Sequence, residues 1–341
     1  MSDTMAVPAG PAGDLPPLAT EVISAWETWC RLRLRTVPDR TDWTLVALRH
    51  AGAGQRVVLR LAQDGKAPLI FKCHPGLKRR VFVDGVKAHR RFERALADHP
   101  TARVPRLFAV LQRRRILVME AAPGREALRL AQSLKGHIDG QMSILTQCAG
   151  WSSATSRILP RRRAIWDGVA TMARLSKAQN RAPEMLYGPL FESLGQQAKQ
   201  GIVDLIGRPV LLVQSHGDLH LSNLIIAPDG VTYGIDFEDW FERPVEHDLA
   251  RLLTHFMTML GPQDVDGMRV LLLRAHEALI DAFRPEMQID VSLLRAHMVL
   301  DALVYWVDCA DPASLTTRMG RSRFKRTAAF AEAIILDSRL D

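Results

Sequence analysis

Asp229-Gly230 lies between two apolar runs, Leu224-Ile225-Ile226 and Val231 to Ile235. This pattern predicts a two-residue β-hairpin, because Asp-Gly accepts the positive φ values that such turns require. A hairpin centred on that pair sets Asn223 opposite Asp236. Opposed side chains on an antiparallel ladder have Cβ atoms roughly 4.5–5.5 Å apart, so two oxygen ligands placed there can share a magnesium ion. Just upstream runs His216-Gly217-Asp218-Leu219-His220-Leu221-Ser222-Asn223. Its Asp218 is close enough along the chain to accept a proton from a hydroxyl entering the same place.

Composition narrows the class. With 341 residues, 47% of them hydrophobic, the chain can bury a sizeable core, and its length suggests two domains. No apolar run approaches the roughly 20 residues that span a bilayer. Met1 to Thr20 is rich in Ala, Gly and Pro, with neither a basic region nor an apolar segment, and reads as a flexible tail rather than a signal peptide. Cys30, Cys73, Cys148 and Cys309 show no paired spacing, which points to reduced thiols in a cytoplasmic protein. The net charge is +8, with basic clusters at Lys78-Arg79-Arg80, Arg113-Arg114-Arg115 and Arg161-Arg162-Arg163. These clusters are short and lack interleaved aromatics or zinc spacing, so they argue for solvated faces and nucleotide steering and against nucleic-acid binding.

Upstream, Trp43 to Arg49 and Arg56 to Ala62 read as strands joined by Ala51-Gly52-Ala53-Gly54, and a turn at Asp64-Gly65 leads into Leu69 to Cys73. The period of two places Ile70 and Lys72 on one face of that last strand, and Leu69, Phe71 and Cys73 on the other. Lys72 reads either as an edge residue whose stem covers apolar surface or as a phosphate-binding lysine held by a carboxylate. A helix from about Val81 to Ala97 follows, in which Glu93 is the natural partner and Asp84 its competitor. Arg115 to Glu120 reads as an apolar strand ending at Ala121-Ala122-Pro123-Gly124, where the composition turns helix-forming and a domain boundary is expected. Backbone groups of Met119, Glu120 and Ala121 could meet an adenine edge there. Val291 to Cys309 is helical by pattern, with Asp301, Tyr305 and Asp308 along one face. That face is read as solvated beside an apolar stripe, or else as a seat for a cationic group together with Trp306. Glu238 and Asp239, next to Asp236, are better placed to meet a substrate.

Ile70-Phe71-Lys72, Glu93, Leu117-Val118-Met119-Glu120, the His216 to Asn223 octapeptide and Ile235-Asp236-Phe237-Glu238 occur in that order. In this, the stretch from about Trp43 to Leu253 resembles the aminoglycoside phosphotransferase and choline kinase family. The resemblance implies an α+β, two-lobed, protein-kinase-like fold. Residues 1–20 would be a tail, 21–122 a small antiparallel-sheet N-lobe that binds nucleotide, and 123–341 a larger, mainly helical C-lobe with the catalytic loop, metal site and acceptor site. It further implies transfer of the γ-phosphoryl group of ATP, with Mg²⁺, to a hydroxyl of a small molecule of the aminoglycoside, choline, amino alcohol or sugar type. Asp218 would be the base or orienting acid, Asn223 and Asp236 the metal ligands, and Lys72 the phosphate contact positioned by Glu93. Ile70 would join the nucleotide side and Asp248 would brace the catalytic loop, with His216 and His220 shaping it. Glu242-Arg243-Pro244 stands where related chains often carry Gly-Asp-Pro. Two rival readings are a kinase acting on a lipopolysaccharide or protein, and a non-catalytic nucleotide or nucleic-acid binding protein.

Overall fold

A computed structural model of the protein describes residues 15–33, 43–49, 55–62, 65, 67–237, 241–284 and 287–336. The Ala51 to Gly54 turn, Asp64, Glu238 and Asp239 lie outside the described residues. From the N-terminus come α1 (Pro17–Arg33), β1 (Trp43–Arg49), β2 (Arg56–Leu61), β3 (Leu69–Cys73), α2 (Arg79–Ala95), β4 (Ala102–Arg103), β5 (Leu107–Leu111) and β6 (Ile116–Glu120). Then follow β7 (Arg125–Glu126), α3 (Ala127–Ser133), α4 (Ile138–Ile158), β8 (Arg161–Ile165), α5 (Val169–Arg181), α6 (Pro189–Leu205), β9 (Pro209–Gln214), β10 (Leu224–Ile226), β11 (Thr232–Gly234) and β12 (Glu242–Pro244). The chain closes with α7 (Val245–Leu260), α8 (Val265–Asp281), α9 (Val291–Cys309), α10 (Pro312–Leu315) and α11 (Arg318–Leu336).

Contacts divide the chain into two compact units. The first comprises Met1–Ala97, Arg103–Pro123 and Ile235–Trp240; the second comprises Asp98–Ala102, Gly124–Gly234 and Phe241–Asp341. The two units part between Pro123 and Gly124, and Ile235–Trp240 groups with the first.

In the first unit five strands form an antiparallel sheet in the order β1-β2-β3-β6-β5. Strand β3 alternates between buried and half-buried residues, so Phe71 enters the core while Ile70 and Lys72 share the other face. Val58 pairs with Lys72 across β2 and β3, which puts Arg56 on the face of Lys72 as well. Helix α1 lays Val22, Ile23 and Trp26 on the sheet's apolar face, and Trp26 meets Phe71 edge-on at 5.0 Å. Residues 17–20, assigned to a tail from the sequence, open α1 instead, because Leu18 and Ala19 have a core to cover. Helix α2 buries Phe82, Val86, His89 and Phe92. Phe92 stacks on Phe237 at 4.7 Å and His89 meets the same ring at 5.4 Å. These contacts fasten the segment after Ile235 to the first unit.

The second unit packs α4, α6, α7, α8, α9 and α11 around an apolar interior that includes Leu252, Phe256, Leu272, Met298, Leu303 and Phe330. No described helix is long and apolar enough to cross a membrane. The hairpin β10–β11 is present, with a register one residue off the expected one: Leu224 pairs with Gly234, Ile225 with Tyr233 and Ile226 with Thr232. The reason is Pro228, which presets a turn one residue earlier. Gly230 N donates to Ala227 O at 3.0 Å, Ala227 N donates to Val231 O at 2.9 Å, and Gly230 takes φ 86°. This is the three-residue hairpin closed by a left-handed glycine. The ladder thus ends at Gly234, and a cross-ladder pair of Asn223 with Asp236 is not formed. Gly234 itself is required by packing, since a Cβ there would lie 2.2 Å from the Trp151 ring.

Candidate functional site

Each unit presents a carboxylate locked to cations. In the first unit, Asp236 accepts from Lys72 Nζ and, at 3.3 Å, from Arg56 Nη1. Burial pushes the Asp236 carboxyl upward, but the charges of Lys72 and Arg56 outweigh it and hold the group well below the usual carboxylate range. Asp236 stands at φ 65°, a left-handed conformation uncommon for non-glycine residues and frequent at functional sites. The expected pair of Lys72 with Glu93 is not formed. Glu93 Oε2 instead accepts from Leu107 N at 3.2 Å, so the glutamate ties α2 to β5. Asp84 pairs within its own helix, with Arg80 and Lys87. At the strand end, Glu120 N donates to Arg106 O and Ala121 N to Pro68 O, so these N–H groups are engaged within the protein.

In the second unit the octapeptide forms a braced loop. Gly217 takes φ 86°, which turns the chain between His216 and Asp218. Asp248, buried on the first turns of α7, holds the strand leading into this turn. Its Oδ2 accepts from His216 N at 2.7 Å, and its Oδ1 from Ser215 Oγ at 2.7 Å and Gly217 N at 3.4 Å. Burial pushes the Asp248 carboxyl up, but the His247 and Ser215 hydrogen bonds and the nearby imidazoles bring it down to about 2. His216 meets Trp151 edge-on at 5.7 Å, linking the loop to the ring that stands over Gly234.

One turn further along α7, Arg251 donates from Nε to Asp218 Oδ1 at 2.6 Å, with Nη2 on the same oxygen. His220 Nε2 lies 3.4 Å from the other oxygen. Burial raises the Asp218 carboxyl, yet the His220 hydrogen bond and the Arg251 charge override it and keep the group ionised. His220 in turn stacks on His255 at 4.7 Å. Asn223 Nδ2 donates to Asp218 O at 2.8 Å, which fixes the amide and leaves its oxygen as the end available to a ligand.

The acid-aromatic-acid face of α9 differs from the solvated face expected. Asp301 and Tyr305 are buried, and Asp301 is ion-paired with Arg174. Asp308 pairs with Arg181 at 3.0 Å. Sequence reasoning missed Arg251 and Arg56. Arg251 follows Asp248 by three residues on a helix, which sets both on the face that meets the loop; Arg56 follows from the strand register beside Lys72. The four cysteines are buried and unpaired.

Solved structures of low sequence identity share this fold. The amicoumacin kinase hAmiN, in complex with AMP-PNP, Ca²⁺ and Ami, is 15% identical, with 90% of this chain and 95% of that one covered at TM-score 0.54. A thermostable mutant of aminoglycoside phosphotransferase APH(4)-Ia is 12% identical, with coverages of 91% and 98% at TM-score 0.59. A glucosamine kinase bound to glucosamine, ADP and inorganic phosphate is 16% identical, with coverages of 95% and 83% at TM-score 0.54. No curated protein matches the chain. A model of the phosphotransferase enzyme family matches residues 45–284. With most of its length covered by that match, this α+β, protein-kinase-like chain belongs to the phosphotransferase enzyme family.

Proposed function

We propose that the protein transfers the γ-phosphoryl group of ATP to a hydroxyl of a small molecule in the cytoplasm. The observation that carries this reading is Asp218: an ionised carboxylate fixed by Arg251 on a loop that Asp248 braces. A carboxylate held so far below its usual pKa is a weak base. It therefore orients the acceptor hydroxyl and receives the proton late, as the hydroxyl oxygen bonds to the γ-phosphorus and the bond to the β–γ bridging oxygen breaks. Lys72, with Arg56 beside it, supplies positive charge for the α- and β-phosphates. Ile70 lies on the same face and packs against the nucleotide. Pro68 accepts from Ala121 N but has no N–H to return the bond, so we assign the Ala121 carbonyl, next to Met119 and Glu120, to the adenine amino group.

The donor set also suits a hard divalent cation. Asn223 offers an amide oxygen and Asp236 a carboxylate, and magnesium is commonly held by one or two protein oxygens together with phosphates and water. When bound, Mg²⁺ would neutralise phosphate charge. The solved relatives include enzymes with AMP-PNP or ADP and with amicoumacin, spectinomycin or glucosamine as their small molecules, which supports ATP and a hydroxyl-bearing acceptor here.

The test is a phosphoryl-transfer screen with [γ-³²P]ATP over aminoglycosides, choline, amino alcohols, sugars and cell extract, run for the wild type and Asp218→Asn. Label passing to a small molecule in the wild type alone bears out the proposal. Label confined to macromolecules, or transfer untouched by the substitution, sinks it.

A further inference from the structure

A cleft of about 900 Å³ opens in the second unit between α3, the C-terminal end of α7 and α11. Six cations line it, Lys135, Arg318, Arg321, Arg323, Lys325 and Arg326, and no acidic residue does. Among the described residues none of the six is ion-paired to a carboxylate. Like charges gathered on a concave wall repel one another, and the same wall concentrates ligands of the opposite sign. Two of the cations are nonetheless fixed in place. Arg326 Nε donates to Gly261 O at 2.9 Å, and Arg321 Nη1 donates to Leu315 O at 3.0 Å and to Thr316 O at 2.7 Å. Carbonyls hold these guanidinium groups without neutralising them. Arg323 lies 5.4 Å from the Tyr305 ring centre, and its Nε is buried with no hydrogen-bond partner. Burial also holds Arg326 below the usual guanidinium pKa, as expected of a cation that lacks a counter-ion.

The spacing of the charges points to more than one anionic group. From Arg318 to Arg326, α11 rises about 12 Å, and Lys135 comes from the end of α3. A single anionic group cannot reach cations spread over that length, whereas two or more on one molecule can. A phosphate monoester carries about −1.5 to −2 charges at pH 7, so a few phosphates answer six cations where twice as many carboxylates would be needed. Four of the six are guanidinium forks, which pair bidentately with phosphate oxygens. The rest of the lining is Met259, Leu260 and Met319 with glutamine and serine side chains, a surface that suits an organic body better than bare ions. Neither Asp218 nor Arg251 lines the cleft. Met259 lies eight residues beyond Arg251 on α7, about 12 Å along the axis, and the buried side chains of His255 and Tyr305 fill the interval.

We propose that this cleft is an anion site separate from the catalytic loop, and that its ligand is a small organic molecule carrying two or more phosphate groups. The inference goes beyond the function proposed above and does not depend on it.

The experiment is calorimetric titration of the full chain with fructose 1,6-bisphosphate, fructose 6-phosphate, citrate and fructose. It is run for the wild type and for Lys135→Glu, Lys325→Glu and Lys72→Ala. Lys135 and Lys325 are exposed, so their variants should unfold thermally at the wild-type midpoint, and a loss of binding then reads the cleft itself. In the wild type we expect the bisphosphate to bind at least about tenfold more tightly than the monophosphate or citrate, and fructose to give no heat of binding. Each cleft substitution should weaken the bisphosphate by about tenfold, whereas Lys72→Ala should leave it within about twofold. Equal affinity for bisphosphate and monophosphate, or preference for citrate, overturns the inference. So does bisphosphate binding that Lys72→Ala removes and both cleft substitutions leave intact, since the phosphates would then sit beside Lys72. A short single-stranded RNA that binds more tightly than the bisphosphate and is not displaced by it would assign the cleft to nucleic acid and overturn the inference as well.

Discussion

Asp236 and Asp218 are both partly buried carboxylates held ionised by cations, yet the two are built differently. The cations on Asp236 come from neighbouring strands of a sheet more than a hundred residues away in sequence, and the carboxylate sits at a left-handed φ. In the proposed reaction Lys72 and Arg56 are the charges that nucleotide phosphates claim, so this pairing would be one that a ligand exchanges. The cation on Asp218 comes from α7, one turn beyond the aspartate that braces the same loop. That pairing is part of the scaffold and sets the carboxylate before any ligand arrives. The difference teaches that a like motif, acid against base, can act as an exchangeable contact in one region and as preorganisation in another.

The largest effect should come from Asp218→Asn. It keeps the shape and removes the charge, so kcat should fall by about 10³-fold or more while ATP affinity stays within about twofold; comparable losses in both would break the contrast. Next, Asp236→Ala should abolish the magnesium dependence of nucleotide binding, and Lys72→Ala should weaken that binding by roughly 10–100-fold, measured by titration with and without the metal. Arg251→Lys should lower kcat by about tenfold at unchanged nucleotide affinity, because a point charge replaces two donors on one carboxylate oxygen.

The smallest effect concerns a third carboxylate, Glu246, on the same helix but without a cation. Burial raises it to about 7, and Asp290 N donates to it at 2.9 Å. Its folded pKa exceeds its unfolded one, so its stabilising contribution is full below about pH 4.5 and is lost as pH rises through about 7. Glu246→Gln keeps the acceptor and should remove that decline, giving about 1–3 kcal/mol relative to wild type above pH 7. Urea unfolding of both proteins across pH 4–8 checks it, and parallel curves would show that Glu246 is not held protonated.

The strands around Lys72, the hairpin after Asn223 and the helix of α9 were legible in the sequence, since period-two and 3.6-residue patterns are local. The register of the hairpin was not, because Asp-Gly by itself signals a two-residue turn whereas Pro228 starts the turn one residue earlier. Glu93 is the sole glutamate between Lys72 and Glu120, whereas its actual partner depends on where β5 lies beside α2. Asp301 and Tyr305 share a helix face, as spacing requires, but spacing cannot tell that this face is covered.

By itself the sequence determined the chemistry available to this protein: an acid, an amide, a second acid and a lysine at local spacings fixed by loop, hairpin and strand. Tertiary structure alone decided which charges meet. Lys72 and Arg56 reach Asp236 from strands more than 160 residues away, and Arg251 reaches Asp218 from a separate helix, because packing of the sheet and helices brings those segments together.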